Sequence, residues 1–159
     1  LLFMGNEFAQ TSEWNDKSEL DWELLQHDSH NKMQDCVRDL CHLYKNEPAL
    51  YEHQFDHKGF EWTELSKQED GVVAYKRKGR HREDDLLVVL NLSHRSYQQW
   101  TMTVKGKNHW KEIFNSNLIE YWGTGENTNE HMKVNPVDKK KKVCEIIIDI
   151  PALSALIFR

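Results

Sequence analysis

Residues 143–150 read VCEIIIDI. Cys144, Ile146, Ile148 and Ile150 alternate there with Val143, Glu145, Ile147 and Asp149. A two-residue period sends the two sets to opposite faces of a strand, and an all-apolar set opposite a mixed one marks a strand with one buried face. Pro151 stops the run, and LSALIFR at 153–159 makes a further strand. The same signal recurs upstream. In YQQWTMTV (97–104), Trp100, Met102 and Val104 alternate with Thr101 and Thr103. LLVVLNL (86–92) is almost wholly apolar, as a strand covered on both faces requires. GVVAYKRKG (71–79) starts at an Asp70-Gly71 turn, GFEWTEL (59–65) carries Phe60 and Trp62 on one face, and residues 110–114 add another candidate. About seven short strands separated by turn signals specify a mainly β fold, an antiparallel β-sandwich.

Nearer the start the period changes. Met33, Cys36, Val37, Leu40, Cys41 and Tyr44 fall at i, i+3, i+4, i+7, i+8 and i+11, one face of a helix over 31–47. Asn31 with Gln34 offers a capping box, and Pro48 ends the helix by Asn46 or Glu47. No second apolar helix in the chain matches that face, so it must pack on a sheet or on something outside the chain. LLFM at 1–4 reads as a short buried strand, and residues 5–25 as a long loop with a helical turn near 20–25. Structureless loops of that length are usually functional or disordered. The chain therefore divides into strand, loop and helix over 1–54 and an all-β domain over 55–159.

Composition excludes several classes. With 21 basic and 26 acidic residues the formal charge is -5, which argues against nucleic acid as a partner. The one dense basic run, 139–142, reads as a solvated hairpin or edge guard. Three cysteines outside CxxC spacing make neither a disulfide framework nor a zinc site, and free thiols fit a reducing, cytoplasmic compartment. No apolar stretch nears the roughly 20 residues needed to span a bilayer, and residues 1–4 are too short for a signal sequence, so no leader and no membrane association are expected. The Asn91-Leu92-Ser93 sequon is then expected to carry no glycan.

Candidate chemistry concentrates at the start of the chain. His53 and His57 have helical metal spacing, but Gln54 stands where a zinc protease needs Glu, and Asp56 and Gly59 argue against a helix, so no metal is expected. His27 and His30 belong to a surface loop. Gly123-Thr124-Gly125 precedes no apolar helix and reads as a turn. Glu7, directly after the 1–4 strand, holds the position where α/β enzymes place functional groups. Glycosidic chemistry needs two opposed carboxylates, and Glu13 and Asp16 are near in sequence. The plainer reading is that Asn6 and Glu7 organise the loop by hydrogen bonds. Trp14 and Trp22 in the same loop either stack on a sugar or pin the loop to the core. Trp62, Trp100 and Trp110 sit at core-like strand positions, whereas Tyr121 and Trp122 beside Gly123 offer an exposed aromatic platform.

LLFMGNEFAQTSEWN (1–15), LDWELL (20–25), VRDLCHLYKNEPAL (37–50) and FDHKGFEW (55–62) closely resemble the C-terminal part of the bacterial 1,4-α-glucan (glycogen) branching enzymes, in the α-amylase superfamily. WKEIFNSN and the closing IPALSALIF extend the resemblance over essentially the whole chain. It implies that residues 1–4 are the eighth strand of a (β/α)8 barrel. Residues 5–29 would be the loop after it on the catalytic face, 31–47 the eighth helix, and 55–159 the C-terminal β-sandwich. The family cuts an α-1,4-glucan, holds the piece as a covalent glycosyl-enzyme and transfers it to a 6-hydroxyl. This is retaining chemistry without metal or organic cofactor. Its catalytic carboxylates lie on barrel strands that would precede Leu1, so the resemblance assigns no catalytic residue here. It gives Asn6, Glu7, Trp14 and Asn15 as substrate-loop candidates, while the aromatic pair Tyr121 and Trp122 offers a candidate remote glucan contact from the residues themselves. Thr11-Ser12 departs from the family's usual Gly followed by a polar residue. The implied partners are α-1,4-glucan or glycogen and the preceding barrel, with self-association through the bare helix face in its absence. The alternative is a stand-alone carbohydrate-binding sandwich, or a purely structural domain.

Overall fold

The computed structural model describes residues 3–64, 70–138 and 140–159. Among these residues, eight strands form two antiparallel sheets. The strands are β1 (Phe60–Glu64), β2 (Val72–Arg77), β3 (Leu86–Asn91), β4 (Tyr97–Lys105), β5 (Glu112–Asn115), β6 (Lys133–Asp138), β7 (Val143–Ile150) and β8 (Ser154–Phe158). The first sheet runs β1-β2-β3-β8-β5 and the second β4-β7-β6. Their inner faces meet in one core: Val72, Ala74, Leu87 and Val89 from β2 and β3, Leu156 and Phe158 from β8, against Trp100, Met102, Val104, Cys144, Ile146, Ile148 and Ile150. The alternation in VCEIIIDI supplies four of these residues from β7 alone. Each isoleucine so buried contributes on the order of 1.5–3 kcal/mol.

A bulge between Tyr97 and Trp100 resets the register of β4. Gln99 takes φ 51 there, and its N–H donates to Asp149 Oδ1 at 2.7 Å. Tyr97 and Trp100, three apart, thereby reach the same side with ring centroids 4.8 Å apart.

The outer face of the larger sheet is covered by α1 (Asp28–Asn46) and α2 (Pro48–Tyr51). Cys36, Leu43, Ala49 and Leu50 pack on Leu86, Val88, Phe114 and Ile157. This explains why β3 is buried on both faces. Polar contacts fix the helix on the sheet: Tyr121 Oη donates to Asp39 Oδ2 at 2.8 Å, Lys32 Nζ to the Ile119 carbonyl at 3.0 Å, and Arg159 Nη1 to Glu47 Oε1 at 2.9 Å.

Three sequence expectations need correction, and one strand gave no sequence signal. The helix begins at Asp28, ahead of Asn31, whose N–H bonds the His27 carbonyl, so Asn31 and Gln34 lie inside the helix and form no capping box. Leu1 and Leu2 lie outside the described residues. Phe3 is irregular and Met4 begins a turn, rather than strand, since no strand among the described residues lies alongside to pair with them. β6 gave no periodic signal because it is an edge strand buried at few positions, and Pro136 is tolerated there because an edge strand does not need every N–H. Trp62 lies on the outer face of β1 and is 53% exposed rather than core. Of the basic run, Lys139 is outside the described residues. Lys140, Lys141 and Lys142 are exposed in the turn between β6 and β7, as a solvated hairpin should be.

Candidate functional site

The loop over residues 5–27 is ordered by its own polar groups. Gly5 (φ 84) and Ala9 (φ 55) bracket a 3-10 turn, Asn6–Phe8, and the left-handed backbone at Gly5 suits a residue without Cβ. Phe8 is fully buried beneath the Trp22 ring, centroids 5.3 Å apart, and its carbonyl is 2.8 Å from His30 Nδ1 on α1. Gln10 Oε1 accepts from the Asp21 N–H at 2.9 Å, and Ser12 Oγ donates to Asp21. The loop is thus stapled to α1 through Phe8 and closed on itself through Gln10, Ser12 and Asp21. The two histidines of 53 and 57 do not share a helix: His57 opens a separate 3-10 turn, with Nδ1 3.3 Å from Asp56 Oδ1.

The candidate residues of this loop face outward. Asn6 is exposed and Glu7 half-buried in the 3-10 turn. Trp14, 44% exposed, meets Phe3 edge-on at 5.2 Å, and Asn15 Oδ1 accepts from the Lys17 N–H. Glu13, Asp16 and Glu23 are exposed to water. This arrangement presents side chains to a neighbouring surface; it builds no enclosed pair of opposed carboxylates of the kind that glycosidic cleavage needs.

The exposed apolar side chains continue along α1. The residues that reach the sheet are Cys36 and Leu43, while Met33, Leu40, Cys41 and Tyr44 stay exposed and Val37 is half-buried. The helix therefore has two apolar faces side by side, one on the sheet and one open. Met4, Trp14, Trp22 and Tyr51 are further large hydrophobic side chains open to solvent, and Phe55 is 98% exposed.

Aromatic groups open to solvent also occur on the sandwich. Phe60 and Tyr75 stack with centroids 5.1 Å apart at 27°, and Trp62 stands edge-on to both, at 4.8 Å and 6.0 Å. This cluster is the missed feature of the sequence: alternation groups Phe60 with Trp62 but does not tell which face is covered. Tyr121 and Trp122 separate. The Tyr121 ring stacks on Phe114 at 5.5 Å and its hydroxyl is held by Asp39, while Trp122 is 66% exposed. Burial and the neighbouring Asp39 carboxylate push the Tyr121 hydroxyl far above its ordinary pKa, so it stays a donor.

The comparisons agree with this architecture. Residues 62–159 match the family model of the alpha amylase C-terminal all-beta domain. The 1,4-alpha-glucan branching enzyme GlgB of Aquifex aeolicus is 33% identical over 98% of this chain and 25% of its own length. The enzyme of the same name from Rhodopseudomonas palustris is 38% identical over 98% of the chain and 21% of its own length. That from Desulfitobacterium hafniense is 35% identical over 100% and 25%. The chain thus spans a quarter or less of the length of these relatives.

Proposed function

The chain belongs to the family of the alpha amylase C-terminal all-beta domain, and from that footing we propose that it is the C-terminal part of a 1,4-α-glucan branching enzyme. The parent transfers α-1,4-glucan segments to 6-hydroxyls to build the branches of glycogen, in the cytoplasm. Residues 1–54 complete its (β/α)8 barrel and residues 55–159 form the sandwich behind it. The carrying observation is the second apolar face of α1, where Met33, Leu40 and Tyr44 are open in this chain. A barrel helix needs a neighbour there, and an exposed apolar patch of that kind marks an interface. Asn6, Glu7, Trp14 and Asn15 lie on the loop that would edge the parent's substrate cleft, with no catalytic carboxylate among them. Glucan is held remotely by aromatic faces, at Phe60, Trp62 and Tyr75 and at Trp122. The stand-alone binding module is the weaker reading, because it leaves the open face of α1 without a purpose.

The test is a maltoheptaose titration of the purified chain, run beside an iodine-stained amylose assay. Binding is expected to weaken in Trp62→Ala, and the chain alone should form no debranchable α-1,6 links. Branching by the chain itself overturns the assignment of catalysis to the parent, and unaltered binding in Trp62→Ala overturns the platform.

A further inference from the structure

A cleft of about 400 Å³ opens at one end of the sandwich, lined by Glu61 and Lys76 from the faces of β1 and β2 opposite to Phe60, Trp62 and Tyr75. Six cationic side chains line it, Lys76, Lys78, Arg80, Arg82, Lys105 and Lys141, against two carboxylates, Glu61 and Asp85. In a chain of formal charge -5 this is a local reversal of sign. The cations come from separate segments that the fold draws together: the end of β2 and the loop after it, the end of β4, and the β6–β7 turn.

The convergence is anchored from inside. The Lys76 side chain is 4% exposed, and its Nζ donates to the Lys105 carbonyl at 2.8 Å and lies 3.3 Å from Glu61 Oε1. Lys78 Nζ takes the other oxygen of Glu61 at 3.3 Å, so that carboxylate is shared between two ammonium groups. Asp85 Oδ1 accepts from the Gly79 N–H at 3.3 Å, and burial pushes its carboxyl above the usual range. Gly106 (φ +120) lies beside this pair, and a Cβ there would stand 3.4 Å from Asp85 Oδ2 and 3.5 Å from Lys76 Nζ. Among the described residues, Arg82, Lys105 and Lys141 make no ion pair. The Arg80 backbone N–H donates to Glu52 Oε2 at 2.8 Å, while its guanidinium Nε stays 3.9 Å from that carboxylate.

We propose that this cleft binds a phosphate monoester. Such a group carries about two negative charges at neutral pH and three acceptor oxygens, which matches converging guanidinium and ammonium donors. A cleft of this size closed by Glu61 and Asp85 suits a small ligand rather than a polyanion, which would need a continuous basic stripe. The site is independent of the glucan reading, since neither Trp62 nor the open face of α1 takes part.

The experiment is calorimetric titration of the 159-residue chain at low ionic strength with inorganic phosphate, glucose 1-phosphate and glucose. Both phosphates should bind, glucose should give no heat at this site, and affinity should fall as salt is raised. Arg82→Ala with Lys105→Ala, both at the surface, should weaken phosphate binding by about tenfold or more, while Lys45→Ala leaves it unchanged. Tighter binding of glucose 1-phosphate than of inorganic phosphate would support a sugar ester as the natural source; equal affinities would support the bare anion. No heat from either phosphate overturns the proposal, as does unchanged affinity in the double variant. Tighter binding to a single-stranded oligonucleotide than to either phosphate also overturns it.

Discussion

Asn91 shows what one side chain does in this fold. It is 1% exposed, and its Nδ2 donates to the carbonyls of Arg95 and Pro151, each at 2.7 Å. Its Oδ1 accepts from the Ser93 N–H and hydroxyl. One amide therefore ties the end of β3 to the turn between β7 and β8, which are distant in sequence. Asn91→Ala leaves several buried groups unpaired, and we expect a loss of about 3 kcal/mol in urea unfolding. A loss too small to measure would mean that water replaces the amide. In the sequence this residue showed only as a polar position in the 86–92 strand and the start of a sequon, because a hydrogen-bond hub leaves no periodic trace. The same limit applies to Trp62, where the pattern told which residues share a face but not that the face is bare, and to Tyr121, whose hydroxyl partner sits 82 positions away.

At the scale of elements, period was a good guide and neighbourhood was not. The 3.6-residue repeat located α1, and two-residue alternation located β4 and β7, because each has a buried face. β6, with little burial, was not legible; of the 3-10 turns, too short for any period, the sequence showed only the one expected near 20–25, which is found at Trp22–Gln26. The apolar stripe of α1 was legible as a stripe, but the residues that pack on the sheet, Cys36 and Leu43, lie along one edge of it. The rest, centred on Leu40 and Tyr44, is free to meet a second copy. We expect concentration-dependent association in sedimentation velocity, abolished by Leu40→Lys with Tyr44→Lys. Those exposed positions should change unfolding free energy by no more than about 0.5 kcal/mol each. A monomer at high concentration would show that the stripe is inert in water.

For the molecule as a whole, buried charge sets the response to pH. Burial raises the Glu112 carboxyl above its ordinary range, against the opposing hydrogen bonds from Asn129 and Asn115, and burial raises Asp85 likewise. Over that interval the folded chain holds more protons than the unfolded one, so these groups stabilise it in acid and the stabilisation is lost as pH rises through the folded values. Glu112→Gln keeps an acceptor for Asn129 and removes the proton. Its melting temperature should fall less than that of the parent chain between about pH 4 and 7, and parallel curves would refute this. The order of the larger sheet carries a different consequence, one for synthesis. β8 lies between β3 and β5, yet of the eight strands described it is the last to leave the ribosome. Until Ser154–Phe158 emerges, β3 and β5 have no common partner. The nascent chain then carries two unpaired strand edges and an unfilled core, the state most open to aggregation. A chain cut just before Ser154 would be left there permanently, with the other seven described strands already made.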